Sequence, residues 1–423
     1  MTTTEAPPPG AVDKTYRRRR LMSTFAAATF IMMLSSQFGF GFILLPGAGH
    51  FGVPTGQFLI WYSIFTLSSA VAFGPTGKLM AVYGVRIVAL ISSVVVIASF
   101  IGMAFVPNIV LFYALSVPLG AAWAGCTTLA SNTLVIRWHQ HARRGLVLGF
   151  VGASVGISGI VLGVIFPPIV ASGGFQGGMF TLAGIAFVLA FLPAVLLARN
   201  PPLDAAPPAP ETKQIAQPKS RGMSLGVGLI VAAAFMFAME AAFTAIQPAA
   251  YAAAGVAATT AGLLVSFYSI CSMLAKPTLG FLYDKLGLKA LWVTLALLFV
   301  LGLPGIAAFG HLGIWVYVVL IPIIALSLSV TSVILPLLVG RVVPPERFSV
   351  SFGWAMSGIW LGLAIAVPLW GVIFDATGSY NLAMYLGGAL GLVGLILCIL
   401  GSREAARKRA VPDAAVAPTA AGL

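Results

Sequence analysis

Twelve apolar runs, each long enough to cross a bilayer, follow one another with almost no charge between their ends. They cover residues 21–45, 56–77, 84–106, 109–136, 143–169, 176–198, 223–252, 259–282, 288–309, 313–340, 347–375 and 379–401. A spanning helix needs about 20 such residues. Only 8% of the chain is charged, against roughly 25% in soluble domains, so a water-facing surface cannot be assembled from it. The runs are continuous rather than alternating, which excludes a membrane β-barrel. The fold class read from the sequence is therefore all-α integral membrane, with twelve transmembrane helices.

Of 23 lysines and arginines, all but Lys276 fall before the first run, after the twelfth, or in and at the membrane edge of the connections leaving even-numbered runs. The positive-inside rule then places both termini in the cytoplasm of a multi-pass cell-membrane protein. Orientation accounts for the net charge of +13, so nucleic acid is not an expected partner; the lipid bilayer is. The first run is too long for a signal-peptide core and reads as a retained helix.

Residues 200–222 break the pattern with a proline-rich polar stretch, Pro201, Pro202, Pro207, Pro208, Pro210 and Pro218, which reads as a cytoplasmic linker. It separates an N-terminal six-helix bundle, 21–199, from a C-terminal one, 223–402. The ends, 1–20 and 403–423, read as disordered tails. The two bundles repeat. Gly77, Leu79, Gly84 and Arg86 recur 203 residues later as Gly280, Leu282, Gly287 and Lys289, and Arg144 recurs as Arg347. Arg137 and Arg341 are offset by 204. A shared offset on equivalent connections indicates duplication. Runs six, nine and twelve are nearly free of hydrogen-bonding side chains, so about every third helix faces lipid. The others surround something polar, as in an alternating-access transporter built from two pseudo-symmetric bundles.

The segment Gly280-Phe-Leu-Tyr-Asp284-Lys285-Leu-Gly287-Leu-Lys289 resembles the loop signature of the major facilitator superfamily; in the N-terminal copy Ala81 stands where the signature has an acid. Arg137-Trp-His-Gln-His-Ala-Arg143-Arg144-Gly-Leu146 is similar to the fourth-to-fifth-helix region of monocarboxylate transporter and oxalate:formate antiporter-like proteins. Lys276-Pro277 with Gly280 matches the place where that group has Arg-Pro and a glycine. The resemblance implies that Lys276 meets a substrate carboxylate. It also implies that Asp284 approaches the start of the fifth helix near Arg143 and Arg144, making these residues, with Gly77, Gly84, Gly280 and Gly287, a gating set.

The residues themselves support an anion site. A lysine in mid-membrane costs about 2.5–3.5 kcal/mol on insertion scales. Gly262, Ser266, Ser269, Met273, Lys276 and Gly280 are spaced to share one helical face, and small residues mark the side packed on protein. Glu240 is the acid placed deep within a run and is the candidate proton carrier. Asn132, Tyr62, Gln37, Tyr268, Ser357 and Trp360 are candidates to line the cavity. Gly145, Gly149, Gly152, Gly156, Gly159 and Gly163 make a smooth stripe on the fifth helix, expected to lie against the eighth. His139 and His141 read as a solvated loop, and Cys126, Cys271 and Cys398 as packing residues. No metal-ligand cluster, nucleotide motif or nucleophile–base pair is legible, so neither a cofactor nor catalysis is expected. The function read from these features is transport of a small organic anion, a monocarboxylate, with protons, by a monomer. Efflux of amphipathic or cationic compounds is the alternative, in which Glu240 rather than Lys276 would matter.

Overall fold

The structure, a computed structural model, describes residues 9–139, 144–199, 224–343 and 345–415. Regular structure among them is entirely helical. The membrane-length helices are α1 (Tyr16–Phe51), α2 (Thr55–Met80), α3 (Val85–Phe105), α4 (Ile109–Val135), Phe150–Leu196, α7 (Leu225–Ala253), α8 (Ala258–Leu286), α9 (Leu288–Leu312), α10 (Ile314–Val342), α11 (Ser351–Thr377) and α12 (Asn381–Ala405). The stretch Phe150–Leu196 has 47 residues, twice what one crossing needs. Its backbone leaves the helix at Gly174, where φ is 57° and ψ −149°. It is thus two spans, α5 before Gly174 and α6 after it, giving the expected twelve.

The ends differ from expectation. The first helix starts at Pro9 and the last runs to Ala415, so residues 9–20 and 403–415 are helical rather than disordered. Proline is suited to a first helical position because its missing N–H would have no partner there. At the other end Arg403-Glu-Ala-Ala-Arg-Lys408 consists of strong helix formers. Residues 200–223 and 416–423 lie outside the described set.

The duplication is written into the backbone. Gly84 (φ 83°) and Gly287 (φ 61°) both hold the left-handed conformation that only glycine adopts freely. So do Gly52 (63°) with Gly255 (79°), and Gly174 (57°) with Gly378 (70°), pairs offset by 203 and 204 residues that the sequence reading did not single out. The repeated arginines act alike as well. Arg137 donates to the Met80 carbonyl at 3.0 Å, and Arg341 donates from Nε to the Tyr283 hydroxyl at 3.0 Å. Met80 and Tyr283 are themselves 203 residues apart.

Contacts group the chain into two compact units. One is Met1–Val53, Leu67–Ile215 and Ala258–Ser269; the other is Pro54–Thr66, Ala216–Ala257 and Ile270–Leu423. They follow the two bundles except for two short segments, the starts of α2 and α8, and glycine crossings explain both. In the first unit Gly163 of α5 and Gly262 of α8 meet backbone to backbone, so that a methyl group on either would collide with the other's carbonyl oxygen. Ser266 extends the contact by donating to the Ile160 carbonyl at 2.8 Å. In the second unit a methyl on Gly371 of α11 would lie 2.6 Å from the Cα of Gly56 in α2.

The core of the second unit is built on α7. Ile230, Ala233 and Phe237 are buried with Leu295, Leu298 and Phe299 of α9 and Leu335 and Leu338 of α10, and Phe237 stacks on Phe299 at 5.0 Å. α12 packs one face on this core, while Leu382, Tyr385, Val393, Ile396 and Leu400 on its other side are exposed, as expected of a helix that faces lipid. Its glycines at 391, 394 and 401 lie against Phe299, Phe237 and Gly226.

Candidate functional site

Lys276 sits in α8, ten residues before Leu286, about 15 Å along the helix at 1.5 Å per residue. It is half-buried, and no hydrogen-bond or ion-pair partner is seen for it among the described residues. Pro277 follows inside the same helix, so the Met273 carbonyl lacks its usual helical donor. Up-helix, Ser266, Ser269 and Gly262 pack on α5, with Gly159 against Ser269 and Gly163 against Ser266. The part of this face from Gly262 to Ser269 thus meets Gly159 and Gly163 of the α5 glycine stripe.

Glu240 of α7 is 2% exposed. The Ser327 hydroxyl donates to its carboxyl group, while the other oxygen has no partner. Beside it the Trp370 indole donates to the Met239 carbonyl at 2.9 Å, and Gly387 of α12 faces its backbone. Glu240 and Lys276 do not pair: the acid bonds to Ser327 and the lysine to nothing described. An uncompensated cation and a half-satisfied acid at membrane depth are costly as structural elements and suited to transient partners.

The other candidate lining residues divide between the two units. Tyr62 is 2% exposed and packs on Trp61 and Phe65, with ring centroids 5.9 and 5.7 Å away. Tyr268 is fully buried, edge-on to Phe38 at 5.8 Å. Gln37 and Trp360 are half-buried, whereas Asn132 and Ser357 are exposed. Ser357 donates to the Gly353 carbonyl within its own helix at 3.1 Å.

Of the gating set, Asp284 is exposed. Arg143 and the side chain of Arg144 lie outside the described residues, and with them the expected approach of Asp284. A methyl on Gly280 would meet open space, and one on Gly77 only the tip of Leu129 at 4.0 Å; Gly84 and Gly287 are fixed by their backbone conformation. His139 is not in a solvated loop. It is half-buried and bonds through Nε2 to the Thr24 hydroxyl at 2.8 Å, because the α4 end is drawn onto α1, where the Trp138 indole also donates to the Arg199 carbonyl at 2.8 Å. Burial, with Arg20 nearby, lowers the pKa of His139 below its usual value. His141 lies outside the described residues.

Two features were not anticipated. Asp375, at the end of α11, caps the start of α2: it accepts from the Thr55 amide at 3.0 Å, the Thr55 hydroxyl at 2.6 Å and the Gly56 amide at 2.7 Å. Pro54-Thr55 hinted at a helix start, but nothing in sequence announced an acid 320 residues away as its partner. The repeat-equivalent positions, Ala258 and Ser172, hold no carboxylate, so only one of the two pairings has this cap. The second feature is a cavity of about 300 Å³ in the second unit, lined by Ala250, Ala254, His311, Tyr317, Tyr380 and Asn381 among others, at the end away from the chain termini.

Comparison with known proteins agrees with this architecture. The family model described as Major Facilitator Superfamily matches twice, over residues 22–239 and 228–421. An uncharacterized 38 kDa protein of Thermoproteus tenax is 25% identical over 384 residues, covering 88% of this chain and 93% of that one. Human monocarboxylate transporter 11 is 28% identical over 383 residues, covering 83% and 76%. Among solved structures, a nucleoside transporter superposes with a TM-score of 0.71 at 12% identity, over 90% of this chain and 99% of that one. A bacterial homolog of the human lysosomal transporter Spinster, inward-facing and unoccupied, gives 0.72 at 13% identity, over 92% and 98%. Two family-model matches, which together span both six-helix repeats, make this chain a member of the Major Facilitator Superfamily of transporters.

Proposed function

We propose that the chain carries a small organic anion, a monocarboxylate, across the membrane by alternating access coupled to protons. Lys276 supplies the charge that meets the carboxylate, and Glu240 takes up and releases the proton. The observation that carries this reading is the lysine itself, at membrane depth beside a proline-freed carbonyl and with no acid paired to it among the described residues. An ammonium group there offers a point charge rather than the bidentate fork of arginine, which suits one carboxylate; no lysine or arginine lies between Arg347 and Arg403 to meet a second. The similarity to human monocarboxylate transporter 11 points the same way.

Thermal stability of the purified chain, screened against short monocarboxylates and against lipophilic cations, tests the reading. A ligand at 100 times its dissociation constant stabilises by about 2.7 kcal/mol. Stabilisation by a monocarboxylate that disappears in Lys276→Gln supports the anion carrier. Stabilisation by cations that survives Lys276→Gln and disappears in Glu240→Gln favours the second reading, efflux of cationic compounds, for which the unpartnered oxygen of Glu240 is the supporting observation.

A further inference from the structure

Glu240 does not stand alone on α7. Thr244, Gln247 and Tyr251 follow it at spacings of four, three and four, so the four polar side chains share one face of an otherwise apolar helix. They are 2%, 8%, 0% and 0% exposed, respectively. Burying four polar groups in one row of a membrane helix is costly unless they bond to something. The row is only partly satisfied from within. The amide of Gln247 uses one end on the Tyr251 hydroxyl, at 2.7 Å; its other end has no partner, and neither has one oxygen of Glu240. Each buried polar atom left without a partner calls for an explanation, such as a water or an ion that the site holds transiently.

The backbone adds to the row. The helix is interrupted at Ala242, and Pro248 sits inside its second segment, where a proline has no N–H to close a helical turn. Glu240 and Gln247 lie about 10 Å apart along the helix. Across from Glu240, α12 presents Gly387, with no side chain to fill the space. At the far end of the row, Tyr251 meets Tyr317 edge-on, with centroids 5.3 Å apart. Tyr317 lines the 300 Å³ cavity, as do Ala250 and Ala253 from α7 itself. The row thus begins at the cavity and ends at the acid.

We propose that the polar row Tyr251–Gln247–Thr244–Glu240 is the route by which protons reach Glu240 from the cavity at the end of the second unit away from the chain termini. Gln247 and Tyr251 are positioning residues. They hold waters in line between the cavity and the carboxyl group, and the proton passes from water to water and finally to the unpartnered oxygen of Glu240, leaving again by the same route. The ionisable groups beside the route are His311, Tyr317 and Tyr380 at the cavity and Tyr251 within it. The helices packed on α7 add Asp375, Arg341, Tyr385, Arg403 and Glu404 among the described residues, each near a helix end rather than along the row. This inference rests on the assignment of Glu240 as the proton site.

The test needs no knowledge of the transported substrate. The full chain is reconstituted in nanodiscs, and the infrared carbonyl band of protonated carboxyl groups is followed after a pH jump. The band removed by Glu240→Gln identifies the acid. Gln247→Met and Tyr251→Phe keep the bulk of the side chains, and each is expected to slow the appearance of that band by about tenfold or more while leaving its pH midpoint in place. Gln247→Glu, which restores a polar group at the gap, is expected to recover the rate. A rate unchanged in both Gln247→Met and Tyr251→Phe overturns the route while leaving Glu240 as the proton site. A band midpoint that moves with an unchanged rate also overturns it, assigning the row a structural role. If Glu240→Gln removes no band, the assignment of Glu240 fails, and the route fails with it for that separate reason.

Discussion

The crossing of α2 and α11 concentrates a large effect in a single methyl group. In Gly371→Ala the new Cβ lies 2.6 Å from the Gly56 Cα and 2.7 Å from the Gly56 nitrogen, both rigid backbone atoms. Ordinary contact begins at 3.4 Å, so the helices must part by 3.4 − 2.6 = 0.8 Å at this point. Overpacking of this kind costs about 1–3 kcal/mol. The same movement strains the cap one turn away. Asp375 bonds of 2.6, 2.7 and 3.0 Å lengthened by 0.8 Å all pass the normal upper distance of about 3.2 Å. Asp375→Ala removes those bonds directly, at about 1.5–3 kcal/mol for bonds to a charged group. Because either change breaks the cap, the double variant should cost less than the sum of the two, with a coupling of about 0.5–3 kcal/mol. The assay is equilibrium unfolding in mixed micelles, read by thiol labelling of Cys126 and Cys398, which are buried in the folded chain. Gly353→Ala, on the same helix but with nothing within 4 Å, is the control and should be neutral or slightly stabilising. Strict additivity, or a Gly371→Ala variant as stable as the control, would refute the reasoning.

Two further outcomes follow from the packing and the charges. On the glycine stripe of α5, Gly163→Ala should destabilise by about 1–3 kcal/mol whereas Gly152→Ala, which faces open space, should not; equal effects in the same unfolding assay would contradict the α5–α8 crossing. His139 has a folded-state pKa below its ordinary value of about 6.5, so the unfolded chain binds this proton more readily. Its contribution to stability is full above the unfolded value and declines as pH falls from there toward the depressed folded value. His139→Gln should flatten that part of the stability–pH profile, and an unaltered slope would count against the burial seen here.

Much of this molecule could be read before any coordinates. The apolar runs fix the spans because backbone polar groups in lipid must be satisfied within the segment, which leaves a helix as the local solution. The repeat was legible wherever it uses residues with a fixed backbone role, as at Gly84 and Gly287. Lys276 and Glu240 stood out because charge at membrane depth is expensive wherever it sits. Other inferences failed for physical reasons. His139 looked like a loop residue because local polarity does not report which helix the loop lies against.

The sequence by itself determined the twelve helices, their duplication, the family resemblance and the two charged residues on which a transport mechanism can turn. Only the tertiary structure decided that Asp375 caps α2, that Glu240 bonds to Ser327 rather than to Lys276, and that the polar row of α7 runs from a cavity to its acid. The division follows from range. A helix in lipid is settled by its own residues, whereas a hydrogen bond between positions 320 apart depends on how closely two backbones cross, and glycines reveal that distance only once the helices are packed.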